Sequence, residues 1–170
     1  MPDICDLILD DHELFRRRFA EMDDLRASGT QTERVAAAWE ALGDHLDLHA
    51  AAEEELFYPE LLEVGKRSEE ETEDAITDHN EIRDAVRKAS QSEPGSQAWW
   101  QAIADARKAN SDHMAEEERG ALADFRLNAS PSAREDLGGR WLQYQAEHSG
   151  VLHIDRADKD ADSYIASHKR

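Results

Sequence analysis

Apolar residues recur along this chain at alternating three- and four-residue spacing, the pattern of helices that each bury one stripe. Ile8, His12, Phe15, Phe19 and Met22 share the stripe of a first helix, which Asp3 can cap and which runs to about Ser28-Gly29. A second helix, from Thr30 to Thr32 through to about Gly65, aligns Trp39, Leu42, Leu46, His49, Glu53 and Leu56. The third opens on Ser68-x-x-Glu71, read as a capping box, aligns Ile76, His79, Ile82 and Val86, and stops before Glu93-Pro94-Gly95. Ser96 can cap a fourth, which turns Trp99, Ile103, Ala106, Asn110, His113 and Glu117 inward and fades near Asn128. Strand-like alternation is absent, so the expected fold class is all-α, a four-helix bundle over residues 1–129. Ser130-Pro131 and Ser132-x-x-Glu135 mark a fresh helix start, with Leu137, Trp141, Leu142 and Tyr144 to pack it on the bundle. Residues 130–170 are thus expected to form a C-terminal helical appendage, with a tail lacking stable structure beyond about Asp155.

Composition adds bounds to this picture. A chain of 170 residues suits a single hydrophobic core. Its 20 Lys and Arg against 39 Asp and Glu give a formal charge of -19, which repels phosphate backbones and anionic lipid headgroups. Nucleic acid and membrane are not expected partners, and no pattern names a protein partner; the acidic residues read as solvated helix faces. The opening residues show no basic segment followed by an apolar stretch, and no uncharged run approaches membrane-spanning length, so a cytoplasmic protein is expected. Cys5 is the only cysteine, which excludes an intrachain disulfide and a thiolate metal site.

The informative residues are the polar ones on the apolar stripes. Ionised carboxylates are almost never buried unless they are paired or bind metal. Two copies of His-x-x-x-Glu, His49/Glu53 and His113/Glu117, face inward, and residues four apart on a helix lie about 40° apart around its axis, one turn along. Each pair can therefore converge on one point inside a bundle. Each is also preceded by a lone inward histidine, His12 and His79. The pattern is a quasi-repeat: Asp11-His12 precedes His49-x-x-x-Glu53-Glu54 as Asp78-His79 precedes His113-x-x-x-Glu117-Glu118. Two helical hairpins would place equivalent ligands about a pseudo-two-fold axis, with one metal ion per hairpin.

One His-x-x-x-Glu is a weak signal in a Glu-rich chain; four histidines and two glutamates all on inward seams are a strong one. The competing reading, hydrogen-bonded core histidines without metal, requires cationic partners for Glu53 and Glu117, and the inward seams offer no Lys or Arg. Glu54 and Glu118 point about 100° from the ligands beside them and are expected in solvent or capping the site from outside. His45, one turn before His49, is a candidate extra ligand, with a supporting role favoured. Trp39, Trp99, Trp100, Tyr58 and Phe57 read as packing, and His148, His153 and His168 as exposed or locally bonded imidazoles. Asp158-x-Asp160-x-Asp162 matches the opening of an EF-hand loop, but Ser163 stands where Gly is needed and Lys169 where the bidentate Glu belongs, so calcium binding is not expected.

Over roughly residues 7 to 126 these motifs resemble the hemerythrin-like family, the HHE cation-binding domains, most clearly in the run His49-Ala50-Ala51-Ala52-Glu53-Glu54-Glu55-Leu56-Phe57-Tyr58-Pro59. The resemblance implies an up-down-up-down bundle with a non-haem di-iron centre. It makes His12, His49, His79 and His113 terminal ligands, and Glu53 and Glu117 bridging carboxylates. Imidazole and carboxylate suit iron, and zinc or manganese could occupy the same groups. The oxygen carriers of the family have a second histidine one turn from the third-helix ligand, where this chain has Ala75 and Arg83. Their fourth-helix carboxylate is an Asp five residues after the histidine, where this chain has Glu117 four after His113. The expected function is therefore binding, sensing or reduction of a small oxidant (dioxygen, peroxide or nitric oxide) rather than reversible oxygen carriage. The alternative is an iron- or oxygen-binding or metal-storage protein without turnover.

Overall fold

In the computed structural model, which describes residues 2–150 and 153–169, Asp3 accepts a hydrogen bond from the Cys5 amide at 2.9 Å and starts α1 (Ile4–Ala27). Gly29, in the left-handed region at φ 66°, turns the chain into α2 (Thr32–Ala52). This helix continues through a π-helical turn (Glu53–Phe57) into α3 (Tyr58–Val64). α4 (Ser68–Ser90) and α5 (Gln97–Arg119) follow, α5 capped as expected by Ser96, whose hydroxyl accepts from the Trp99 amide at 3.1 Å. Short connections make successive helices antiparallel, giving an up-down-up-down four-helix bundle. Among the described residues there is no strand, and no helix is long and apolar enough to cross a membrane.

Two details differ from the sequence expectation. Ser68 is the first helical residue rather than a cap; the Lys66 and Arg67 amides instead donate to Asp124 Oδ2 at 2.6 and 3.0 Å. A carboxylate delivered from another helix thus does what the local motif was expected to do. The fourth helix also breaks at Gly120, after which α6 (Ala121–Asn128) supplies Asp124. A Cβ on Gly120 would lie 3.1 Å from both the Glu116 carbonyl and Glu71 Oε1, a close approach that favours glycine at the break.

The core consists of two apolar clusters separated by a polar belt. One contains Ile8, Leu56, Tyr58 and Ile76; the other contains Phe15, Leu46, Ile82 and Ala106. On each long helix the inward histidine falls between residues of the two clusters, as His12 does between Ile8 and Phe15, so the belt is sealed at both ends by apolar side chains. Cys5 is buried in the first cluster; burial and the nearby Asp3 carboxylate push its thiol up to about 12, leaving it inert.

Ser130 caps α7 (Pro131–Glu147), accepting from the Ala133 amide at 3.2 Å. Leu137, Trp141 and Tyr144 pack on the bundle, whereas Leu142, about 100° round the helix from Trp141, is 46% exposed and does not join them. Nor is the tail unstructured. Asp160 caps α8 (Ala161–His168), which buries Tyr164, while Asp158 pairs with Arg87 at 2.8 Å. The Asp-rich run is thus consumed by a cap and an ion pair.

α7 passes so close to the chain's start that a Cβ on Gly138 would lie 2.0 Å from the Pro2 carbonyl. Gly138→Ala should therefore destabilise by about 1–3 kcal/mol through overpacking, despite alanine's better helix propensity. Thermal unfolding followed by circular dichroism would register this as a fall in Tm; an unchanged or raised Tm would contradict the close approach.

Candidate metal centre

All six inward polar residues expected from the sequence, His12, His49, Glu53, His79, His113 and Glu117, come together in the belt, each no more than 4% exposed. Glu53 is their hub. Its Oε1 lies 2.9 Å from His49 Nε2, and its Oε2 lies 3.1 Å from His79 Nε2 and 3.7 Å from His113 Nε2. Two groups able to hold a metal cation share it: His12, His49 and Glu53, and Glu53, His79 and His113. Glu117 is placed differently, with Oε2 3.2 Å from His12 Nε2 and Oε1 accepting a 2.8 Å hydrogen bond from the Tyr58 hydroxyl.

The donor set fits a cation better than it fits itself. His12 Nε2, His49 Nε2, both Glu53 oxygens and Glu117 Oε2 are buried without a hydrogen bond of acceptable geometry, although they crowd within a few ångströms of one another. Buried polar atoms are rarely left so. Lone pairs aimed past one another at common points are what a coordinated ion would satisfy.

Behind the imidazoles runs a closed ring of carboxylates that passes once around the bundle. Asp11 on α1 lies 3.1 Å from His49 Nδ1 on α2; Glu54 in the π turn lies 2.8 Å from His79 Nδ1 on α4. Asp78 on α4 lies 3.5 Å from His113 Nδ1 on α5, and Glu118 on α5 lies 2.9 Å from His12 Nδ1 on α1. An ionised carboxylate can only accept, so Nδ1 of His12, His49 and His79 donates, while His113 Nδ1 faces Asp78 at the longer distance; Nε2 is left to face the centre. These four carboxylates were not recognised as partners of the histidines from the sequence. Glu54 in particular is 3% exposed rather than solvated, and Glu118 covers His12 from the rim with Arg16 at 2.6 Å.

The π turn explains Glu54. Widening the helix by one residue per turn lets consecutive glutamates both face the interior. There Glu54 meets Arg83 at 2.7 and 2.8 Å and Lys159 at 2.9 Å. An inward arginine therefore exists, contrary to the sequence reading, but it neutralises Glu54 and not Glu53. Tyr58 is likewise more than packing, since its hydroxyl holds Glu117. Burial and the neighbouring carboxylates of Glu117 and Glu53 keep that phenol well above its usual range, so it remains a donor. His45 Nε2 lies 3.6 Å from Asp11 Oδ1, beside that carboxylate and outside the two groups able to hold a cation. His148 and His168 bond the Tyr144 and Tyr164 carbonyls, each at 2.9 Å, and His153 is exposed.

Electrostatics in the metal-free belt follow from these distances. Burial alone would depress His49 and His113, but Glu53 and Asp11 around the first, and Asp78 and Glu53 around the second, push both up to about 10. Glu53 is held well below its usual range, its burial outweighed by His49, His113 and His79. Glu54 falls to about 2, its burial outweighed by His79, Arg83 and Lys159. Raised histidines stabilise the metal-free fold fully below about pH 6.5, and that contribution is lost as pH rises through about 10. The depressed glutamates stabilise it above about pH 4.5 and lose their contribution as pH falls. Metal-free protein should be most stable between those limits.

A cation at Nε2 must also displace the proton of His49 or His113. Apparent affinity should therefore rise about tenfold per pH unit for each ion between pH 6 and 9, with about one proton released per ion. Calorimetry in buffers of different ionisation enthalpy measures that release; uptake of metal without it would contradict the imidazolium assignment.

A cavity of about 220 Å³ is lined by exposed Asp74, Glu116 and Arg119, by half-buried Glu71, and by Tyr58, His113 and Glu117 at the belt. Its volume exceeds that of a water molecule, and it borders one edge of the belt.

Comparison with known proteins matches residues 3–124 to the family model described as Hemerythrin HHE cation binding domain. No curated protein and no solved structure matches the chain.

Proposed function

The chain belongs to the hemerythrin HHE cation-binding domain family, and on that premise we propose that it is a di-iron protein that binds, senses or reduces a small oxidant: dioxygen, peroxide or nitric oxide. The observation that carries this reading is Glu53, whose two buried, unbonded oxygens face two different histidine groups. A carboxylate so placed can serve two ions at once. His12 and His49 would hold one, His79 and His113 the other, with Glu117 reaching the first group through Oε2. Two irons bound in this way would supply paired one-electron redox changes and open coordination positions for a small ligand.

The protein's own part is positioning, access and proton supply. The carboxylate ring orients the four imidazoles, and the apolar clusters on both sides exclude bulk water. The cavity would bring a small molecule to the His113 and Glu117 edge, where the Tyr58 hydroxyl, held 2.8 Å from Glu117 Oε1, is a proton donor in its lining. A donor at the end of an access path favours reduction of the bound molecule over simple storage. Metal analysis of protein purified under air, joined to its optical spectrum, tests the reading. It predicts two irons per chain with the near-ultraviolet absorption of a coupled ferric pair. Two zinc ions and a featureless spectrum would contradict it.

A further inference from the structure

The segment C-terminal to the family-matched residues contacts the carboxylate ring at two places. From α7, Gln145 Nε2 donates to Asp11 Oδ2 at 2.9 Å, the same oxygen that lies 3.1 Å from His49 Nδ1, and the Trp141 ring meets the His49 ring edge-on at 5.4 Å. From the stretch before α8, Lys159 Nζ lies 2.9 Å from Glu54 Oε2, while Tyr164 donates its hydroxyl to the Glu54 carbonyl. Lys159 is itself held in place: Asn80, the neighbour of His79, donates to its carbonyl at 2.8 Å and accepts from its amide at 3.0 Å.

We propose that this C-terminal segment is a positioning element of the metal centre, Gln145 fixing His49 through Asp11 and Lys159 fixing His79 through Glu54. The inference rests on the metal reading above and extends it to residues outside the bundle. A carboxylate that orients an imidazole does so only as well as it is itself oriented. Asp11 and Glu54 are the two ring members on the face that α7 and α8 cover, and each takes a further hydrogen bond or ion pair from that segment. Among the described residues, Glu118 and Asp78, on the other face, take none from it: Glu118 is held by Arg16 of α1, and Asp78 is 24% exposed beside the access cavity. The chain thus braces one imidazole of each metal group from one side, and the cavity opens at the other.

Cobalt(II) bound to the full-length chain is a suitable probe, because each ligand imidazole's Nδ1–H then gives a paramagnetically shifted, exchangeable proton signal. Lys159→Met should speed solvent exchange of one such signal and quicken loss of one of two cobalt ions to a chelator by about tenfold or more. Gln145→Leu should do the same to a different signal and to the other ion. Lys159→Arg should restore slow exchange and slow loss. Lys169→Met, which removes a charge from the same segment but from a lysine paired with Glu69, should match the wild type. Wild-type exchange and release in both Lys159→Met and Gln145→Leu would overturn the proposal while leaving the metal reading intact. So would equal acceleration by Lys169→Met, which would indicate a general loosening of the segment. A wild-type chain that takes up no cobalt would overturn the metal reading and this inference together.

Discussion

Glu53→Ala is expected to abolish stable metal binding at both positions of the centre, because a single carboxylate faces both histidine groups. Outer partners of ligands commonly cost ten- to a hundredfold in metal affinity when removed, so loss of a shared direct ligand should cost at least about a hundredfold at each position. Glu117→Ala should be milder and one-sided. Its Oε2 approaches only His12 among the histidines, and its Oε1 is taken by Tyr58, so the His12 and His49 position should empty first. His45→Ala, acting through Asp11, should weaken binding only slightly, and His148→Ala not at all. Metal retained after identical dialysis of the four variants gives the comparison. Glu53→Gln, which keeps the shape of the side chain, separates loss of the ligand from loss of the fold, since removing one partner of a buried charge cluster is itself destabilising. Equal metal content in Glu53→Ala, Glu53→Gln and wild type would return Glu53 to the status of an ordinary helix residue.

The second large effect is expected on exposure of the ferrous protein to air: irreversible oxidation. Four imidazoles and two carboxylates leave coordination positions that no described side chain fills. The residue one turn after His79 is Arg83, which is turned to Glu54 and cannot serve as a ligand. One turn before it, Ala75 lines the access cavity. Water and small molecules therefore reach the centre where a further histidine would otherwise enclose it. An anaerobic ferrous sample should change its spectrum on admission of air and stay changed after degassing. Full return to the ferrous spectrum would identify an oxygen carrier instead.

Much of this architecture was legible in the sequence because helix periodicity is a local property. The inward stripes predicted the four long helices, and six polar residues on those stripes meet in the belt. What escaped was set by neighbours distant in sequence. Glu54 and Glu118 follow ligands directly, and a rotation of about 100° suggests solvent or the outside of the site; Glu118 does cover His12 from the rim, but Glu54 is buried. In a four-helix bundle the same rotation points toward the adjacent helix, where the next histidine waits. The repeated Asp-His and Glu-Glu pairs carried this information: each Asp holds the histidine of the following helix, and each second Glu holds the histidine of the next hairpin. The π turn at Glu53, the replacement of Ser68 by Asp124 as a cap, and the docking of Lys159 on Glu54 depend on packing across the whole chain. No short-range pattern announces them.

The central claim is that the belt holds two ions with Glu53 between them. Anomalous diffraction at the iron edge, from crystals of the anaerobically loaded full-length protein, tests it most directly. The account predicts two peaks, one beside His12 and His49 and one beside His79 and His113, with Glu53 in contact with both. A single peak, or peaks away from these six side chains, would contradict it.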